Sequence, residues 1–193
     1  MRERRSLAWR LNWYRHSELE GAMLLGRITR HASDPYLVHQ LTRHAAEEAR
    51  HAWLWARAID AAGLPTVRIY RSYQSFYREE LALPRSLCEV LALTHVFEQR
   101  VERQFTEELS RPELPDPVRR AFGVMLHDEA RHLRWIGDWF AKQPLAAAVL
   151  DRYRAADERV VRRLMPFRER LWEVSGLGEE LGSDVENGAG AAV

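Results

Sequence analysis

A five-residue pattern occurs twice in this chain, as Glu47-Glu48-Ala49-Arg50-His51 and as Asp128-Glu129-Ala130-Arg131-His132. Each copy carries Glu-x-x-His, and residues three apart on a helix share a face. Each copy therefore aims one carboxylate and one imidazole at the same point. Two such helices facing each other enclose a site rich in oxygen donors with two nitrogens, which suits a pair of iron or manganese ions. A single Glu-x-x-His is weak evidence, because a chain with this many glutamates and histidines carries about one by chance. Two copies embedded in acid-Glu-Ala-Arg-His are a far stronger signal.

Helical periodicity runs through the chain. Over about residues 6–32, Leu7, Leu11, Tyr14, Glu18, Gly21, Leu25 and Ile28 form one stripe, ended by Ser33-Asp34-Pro35. Over about 35–62 the stripe is Leu37, Leu41, His44, Glu48, His51, Trp55 and Ala58, ended by Gly63-Leu64-Pro65. Residues 64–84 are less regular and read as a crossover with some helix, with an aromatic cluster at Tyr70, Tyr73, Phe76 and Tyr77. Pro84 and Ser86 open a third helix, about 85–110, and a Pro-rich loop separates it from a fourth, about 116–142. The expected fold is all-α: a four-helix bundle with one long crossover plus a C-terminal helical extension over about 144–174, kinked or divided by Pro166. Residues 1–174 form one domain in this reading, and 175–193 form a flexible Gly-rich tail.

The stripes supply further carboxylates. Glu18 lies on the first stripe, 30 residues before Glu48, and Glu98 lies on the apolar stripe of the third helix, with Leu91, Thr94, Val101 and Phe105, 31 residues before Glu129. A charged residue within an apolar stripe is costly unless paired or bound to metal. The candidate metal ligands are Glu18, Glu48, His51, Glu98, Glu129 and His132, whose four carboxylates balance two divalent cations. The alternative is a metal-free network of buried ion pairs, which would hold four glutamates against strong mutual repulsion. Glu20 is expected to face solvent, and Glu102 to lie at the edge of the site.

Metal-bound histidines usually donate their second N–H to a carboxylate or carbonyl. Glu47 and Asp128 are candidates for that role, held by Arg50 and Arg131. His44 and His95, each about one turn before a candidate ligand, read first as core histidines, with His44 also a candidate seventh ligand or proton donor. Tyr14, one turn before Glu18, reads as packing or as a proton or radical carrier. The tryptophans, among them Trp53, Trp55, Trp135 and Trp139, read as core or dimer-interface residues.

The charge balance, 29 basic against 28 acidic residues, argues against nucleic acid as a partner. The single cysteine, Cys88, fits a reducing, cytoplasmic compartment. No apolar run suggests a transmembrane segment, and Met1-Arg2-Glu3-Arg4-Arg5 has no apolar stretch behind it of the kind a secretory signal needs.

With Glu18, Glu48-Ala49-Arg50-His51, Glu98 and Glu129-Ala130-Arg131-His132 in this order, the chain resembles the ferritin-like di-iron carboxylate superfamily over about residues 6–142. The acid-Glu-x-Arg-His form is similar to that of acyl-carrier-protein desaturases and bacterial hydrocarbon monooxygenases. The short chain and the motif offsets look more like demethoxyubiquinone hydroxylases and rubrerythrin-type proteins. There is no Cys-x-x-Cys pair for a rubredoxin domain. The resemblance implies two iron ions (alternatively Mn/Fe or two manganese), dioxygen or peroxide, an external electron donor, a small organic or lipid-like substrate and a homodimer. It implies an oxidoreductase that hydroxylates or desaturates that substrate. The alternatives are a ferroxidase or iron-storage protein, a rubrerythrin-like peroxide reductase, and a bundle whose metal is structural.

Overall fold

Apolar residues at helical spacing, interrupted by well-placed breakers, produce the elements. Helices α1 (Arg2–Thr29) and α2 (Pro35–Ala61) pack as a hairpin, and α3 (Tyr73–Glu80) lies in the connection that follows. A second hairpin is formed by α4 (Leu87–Leu109) and α5 (Asp116–Phe140). After it come α6 (Ala146–Leu164), a 3-10 turn (Met165–Phe167) and a short α7 (Trp172–Ser175). The computed structural model describes residues 2–143 and 146–175, and every regular element among them is helical. The tail expected over 175–193 lies, from residue 176 onward, outside the described residues.

The breakers act locally. Asp34 caps α2 by accepting from the Tyr36 N–H at 2.9 Å, and Pro35 occupies the first turn, where its missing N–H is no loss. Ser86 caps α4 by accepting from the Glu89 N–H at 3.2 Å. Helix α2 stops where Gly63 adopts a φ of 59°, a conformation that side-chain-bearing residues resist.

Two apolar layers cross the bundle. In one, Leu11, Trp55, Phe105 and Phe122 meet, each from a different long helix. In the other, Leu25, Leu41, Leu91 and Ile136 meet. Chain order through the layers makes α1 antiparallel to α2 and α4 antiparallel to α5. Helix α2 ends at the first layer and α4 begins at the second, so residues 62–86 travel the length of the bundle. Leu64 packs in the first layer and Leu81 against the second.

The structure departs from the sequence reading in three places. Helix α1 begins at Arg2 and not near residue 6. Its N-terminal half is covered on more than one side, Trp9 by Val67 and Ile69 and Trp13 by Tyr73 and Phe76. A helix buried on several faces shows no single stripe to mark its start. The C-terminal stretch divides just before Pro166, as the sequence predicts, with α6 ending at Leu164. Helix α6 is also no peripheral appendage: it packs on α3 and α4 and buries Tyr153, Ala156 and Val160. Its Asp157, itself buried, accepts from Arg100 Nε at 2.7 Å and from the Tyr77 hydroxyl. Glu20, expected in solvent, is half-buried and accepts from the Ser72 hydroxyl of the crossover. No described helix is long and apolar enough to cross a membrane.

Candidate metal centre

Between the two apolar layers, the four long helices each turn a carboxylate inward. Glu18 comes from α1, Glu48 and His51 from α2, Glu98 from α4, and Glu129 and His132 from α5, and all six are buried. They fall into two overlapping groups whose donor atoms lie within 4.8 Å of one another: Glu18, Glu48, His51 and Glu129 in one, and His44, Glu48, Glu98 and His132 in the other. Glu48 belongs to both. Glu129 also spans them, with Oε1 3.5 Å from His51 Nδ1 and Oε2 3.2 Å from His132 Nδ1. The two motif glutamates thus lie between the two histidines, while Glu18 and Glu98 sit at opposite flanks.

The flanking acids hold the histidines crosswise. His51 Nε2 lies 3.0 Å from Asp128 Oδ2, and His132 Nε2 lies 2.9 Å from Glu47 Oε2. Each pentapeptide therefore orients the imidazole of the other. Arg131 donates to both acids, at 2.7 Å to Glu47 and 2.6 Å to Asp128, and Arg50 donates to Asp128. Glu47 and Asp128 are held below the ordinary carboxylate range: partial burial opposes this, but hydrogen bonds from the histidines and the nearby guanidinium groups outweigh it. Ionised carboxylates only accept, so Nε2 carries the proton in each ring and the Nδ1 lone pair faces the cluster. That is the tautomer a metal ligand needs.

The electrostatics of the cluster match a site built for cations. Burial, reinforced by neighbouring glutamates, pushes the carboxyls of Glu18, Glu48 and Glu129 well above their usual range. Glu98 goes the other way: burial opposes ionisation, but hydrogen bonds with Glu129 and His44 and the nearby His132 ring overcome it. Burial and the adjacent His44 ring lower His132 to about 4. Glu48 Oε1, Glu129 Oε1 and His51 Nδ1 are buried without a hydrogen-bond partner among the described residues. Buried polar atoms are rarely orphaned, and three converging on one spot mark a place that a cation could satisfy. The residues present fit a pair of divalent metal ions.

Close approach of α1 to α2 makes room for this geometry. A Cβ on Gly21 would stand 3.1 Å from Glu48 Oε2, tighter than ordinary van der Waals contact. A side chain at this stripe position on α1 would crowd the Glu48 carboxylate, and glycine leaves it room.

His44 joins the cluster and His95 does not. His44 Nε2 lies 3.0 Å from Glu98 Oε1 and 3.2 Å from Glu48 Oε1, and its ring stacks on His132 at 3.6 Å between centroids. His95 is three residues before Glu98, where His44 is four before Glu48. It lies beside Phe140 and Gln99 and is not among the clustered residues. Tyr14 packs against Trp55, Phe105 and Phe122, and burial raises its phenol well above the ordinary range, so it remains protonated. Glu102 is not among the clustered residues. Of the tryptophans, Trp55 and Trp135 are core, and Trp55 Nε1 donates to Glu18 Oε1 at 3.3 Å, whereas Trp53 is 62% exposed.

A cavity of about 300 Å³ reaches Glu18 from the side of α4, α6 and the 3-10 turn. Trp13, Tyr14, Tyr73, Phe97 and Phe105 give it aromatic walls. Of the aromatic cluster that the sequence offers as the lining of a substrate entrance, Tyr73 lines this cavity, whereas the far wall, Val161, Leu164 and Met165, belongs to the segment read as an extension.

Comparison with family models, with curated proteins and with solved structures returns no match for this chain, so the superfamily resemblance rests on its own motifs and on the convergence of their residues.

Proposed function

We propose that this chain is a ferritin-like dinuclear-iron oxidoreductase that activates dioxygen to hydroxylate or desaturate a small organic or lipid-like substrate. The observation that carries the reading is the aromatic cavity whose lining includes Glu18, one of the clustered carboxylates. A storage or purely structural metal site has no use for an organic-sized chamber at its ligands.

Glu18 and His51 would hold one iron, Glu98 and His132 the other, and Glu48 and Glu129 both. His44 adds a donor on the Glu98 side, so the two positions have unequal nitrogen counts. The mixed carboxylate and imidazole set suits iron, and manganese next. When bound, the metals supply the redox chemistry with dioxygen, and an external donor supplies electrons. The protein's own contribution is positional. Glu47 and Asp128 fix the rings, the layers around Leu11 and Leu25 exclude water along the bundle axis, and the cavity orients the substrate beside Glu18. Tyr14, one turn from Glu18, forms part of the cavity wall, and burial keeps its phenol protonated.

Anaerobic loading with ferrous iron followed by rapid mixing with dioxygen, read optically and by Mössbauer spectroscopy, tests this function. The reading expects an oxygenated species whose decay accelerates with an apolar substrate. Uptake of many irons per chain into a hollow assembly favours ferroxidase storage instead, and a metal centre that stays redox-silent in air removes the enzymatic reading.

A further inference from the structure

The cavity beside Glu18 carries a pattern of charge that selects its ligand. We infer that it binds an apolar monocarboxylate, with the carboxylate at Arg103 and the apolar body directed toward Glu18. This rests on the dinuclear reading for the role of the inner end, but the binding itself needs only the cavity.

Four arginines line the chamber: Arg10, Arg100, Arg103 and Arg168. Three already have acids. Arg10 pairs with Glu169 at 2.7 Å and Glu108 at 3.5 Å, Arg100 with Asp157, and Arg168 with Glu107 at 3.0 Å. Arg103 has no acidic partner among the described residues and is exposed to solvent. It neighbours Gln104, a second lining residue that brings an amide donor. One unmatched guanidinium fits one carboxylate, for which its planar fork of donors is suited, and falls short of what a phosphate dianion calls for.

The depth of the chamber selects for apolar surface. Its walls are aromatic and aliphatic, and Trp13 Nε1 is the kind of isolated donor that fixes orientation without demanding a polar ligand: it is buried with no hydrogen-bond partner among the described residues. Glu18 at the inner end offers no positive charge to a second anion and the arginines beside it are already paired, so the charged group stays at Arg103 and the apolar end reaches the cluster. A volume near 300 Å³ is at the small end of small-molecule sites and suits a medium-chain or aryl-alkyl acid.

The test is calorimetric titration of the full chain, metal-free and iron-loaded, with octanoate and with 1-octanol. The inference expects saturable binding of one octanoate per chain. It expects Arg103→Gln to weaken octanoate about tenfold or more, the worth of a charged hydrogen bond, while 1-octanol binding is unchanged. Arg103→Lys should recover part of the loss, and in the parent protein added salt should weaken octanoate more than 1-octanol. Equal octanoate affinity in the parent and Arg103→Gln, or no saturable binding at all, overturns the inference. Iron content measured on the same samples separates the two proposals. Two irons bound without octanoate binding sinks the substrate assignment alone, and octanoate binding without iron sinks the dinuclear reading alone.

Discussion

His132 Nε2 lies 2.9 Å from Glu47 Oε2, so the imidazole of the second pentapeptide is oriented by the first acid of the other copy. Asp128 returns the relationship to His51. The repeated acid before each motif glutamate thus ties α2 to α5 through the hydrogen bonds that set the tautomer of both histidines.

Glu47→Gln and Asp128→Asn should each weaken metal binding about 10- to 100-fold, the usual effect of removing such a support, while the helical content stays unchanged. The crossed pairing makes the effects site-specific. Glu47→Gln should perturb the metal near His132, and Asp128→Asn the metal near His51. Chelator competition with Mössbauer spectra of iron-loaded variants checks this; perturbation of the metal nearest in sequence to each changed acid would contradict it.

Gly21→Ala separates metal binding from folding. The added methyl stands 3.1 Å from Glu48 Oε2 and displaces that carboxylate by a few tenths of an ångström. The same change favours the helix by roughly 0.5–1 kcal/mol. The metal-free variant should therefore match or exceed the parent in denaturant unfolding, yet bind metal more weakly. A variant that binds metal as tightly as the parent would show that the close approach is incidental.

The three raised carboxyls should make the metal-free protein lose stability as pH rises above the ordinary carboxyl range, most plainly above 6.5, where His132 no longer opposes the trend. The carboxyls of Glu18, Glu48 and Glu129 are raised by folding, so the native state binds more protons than the unfolded chain above the ordinary carboxyl range, and stability declines there as pH increases. Glu98 is lowered by folding; its contribution is present above the ordinary carboxyl range and is lost only in acid. His132 is lowered from 6.5 to about 4, so its contribution grows between those values and is constant above them. Denaturant midpoints at rising pH check the decline, and bound metal should abolish it with release of protons. Rising stability of the metal-free protein above pH 6.5, beyond the titration of His132, would contradict this account.

Asp157→Ala should cost about 3–5 kcal/mol, because it leaves Arg100 buried without its charge partner. Replacing both together, Asp157→Leu with Arg100→Met, should recover much of that loss. Urea unfolding of the two single variants and the double variant gives the coupling directly.

The helices and the inward carboxylates were legible because Glu18, Glu48, Glu98 and Glu129 stand where the spacing demands apolar residues. His44 was not separable from His95 in the sequence. Both lie about one turn before a clustered glutamate, and only the inter-helix geometry brings His44 onto Glu98 and leaves His95 beside Phe140. Helix α6 was legible as a helix but not as a cavity wall, because its contacts with α3 and α4 link residues far apart in the chain. The start of α1 was obscured for the same reason, since Trp9 and Trp13 face the crossover and not the bundle axis.

The central claim is a site for two metal ions shared by four helices, and anaerobic titration with ferrous iron tests it most directly. The account predicts two irons per chain with distinct Mössbauer signals, reflecting the extra nitrogen of His44, and loss of binding in His51→Ala and His132→Ala. Fewer than two irons per chain, or two irons whose binding and spectra are unchanged by those substitutions, would contradict it.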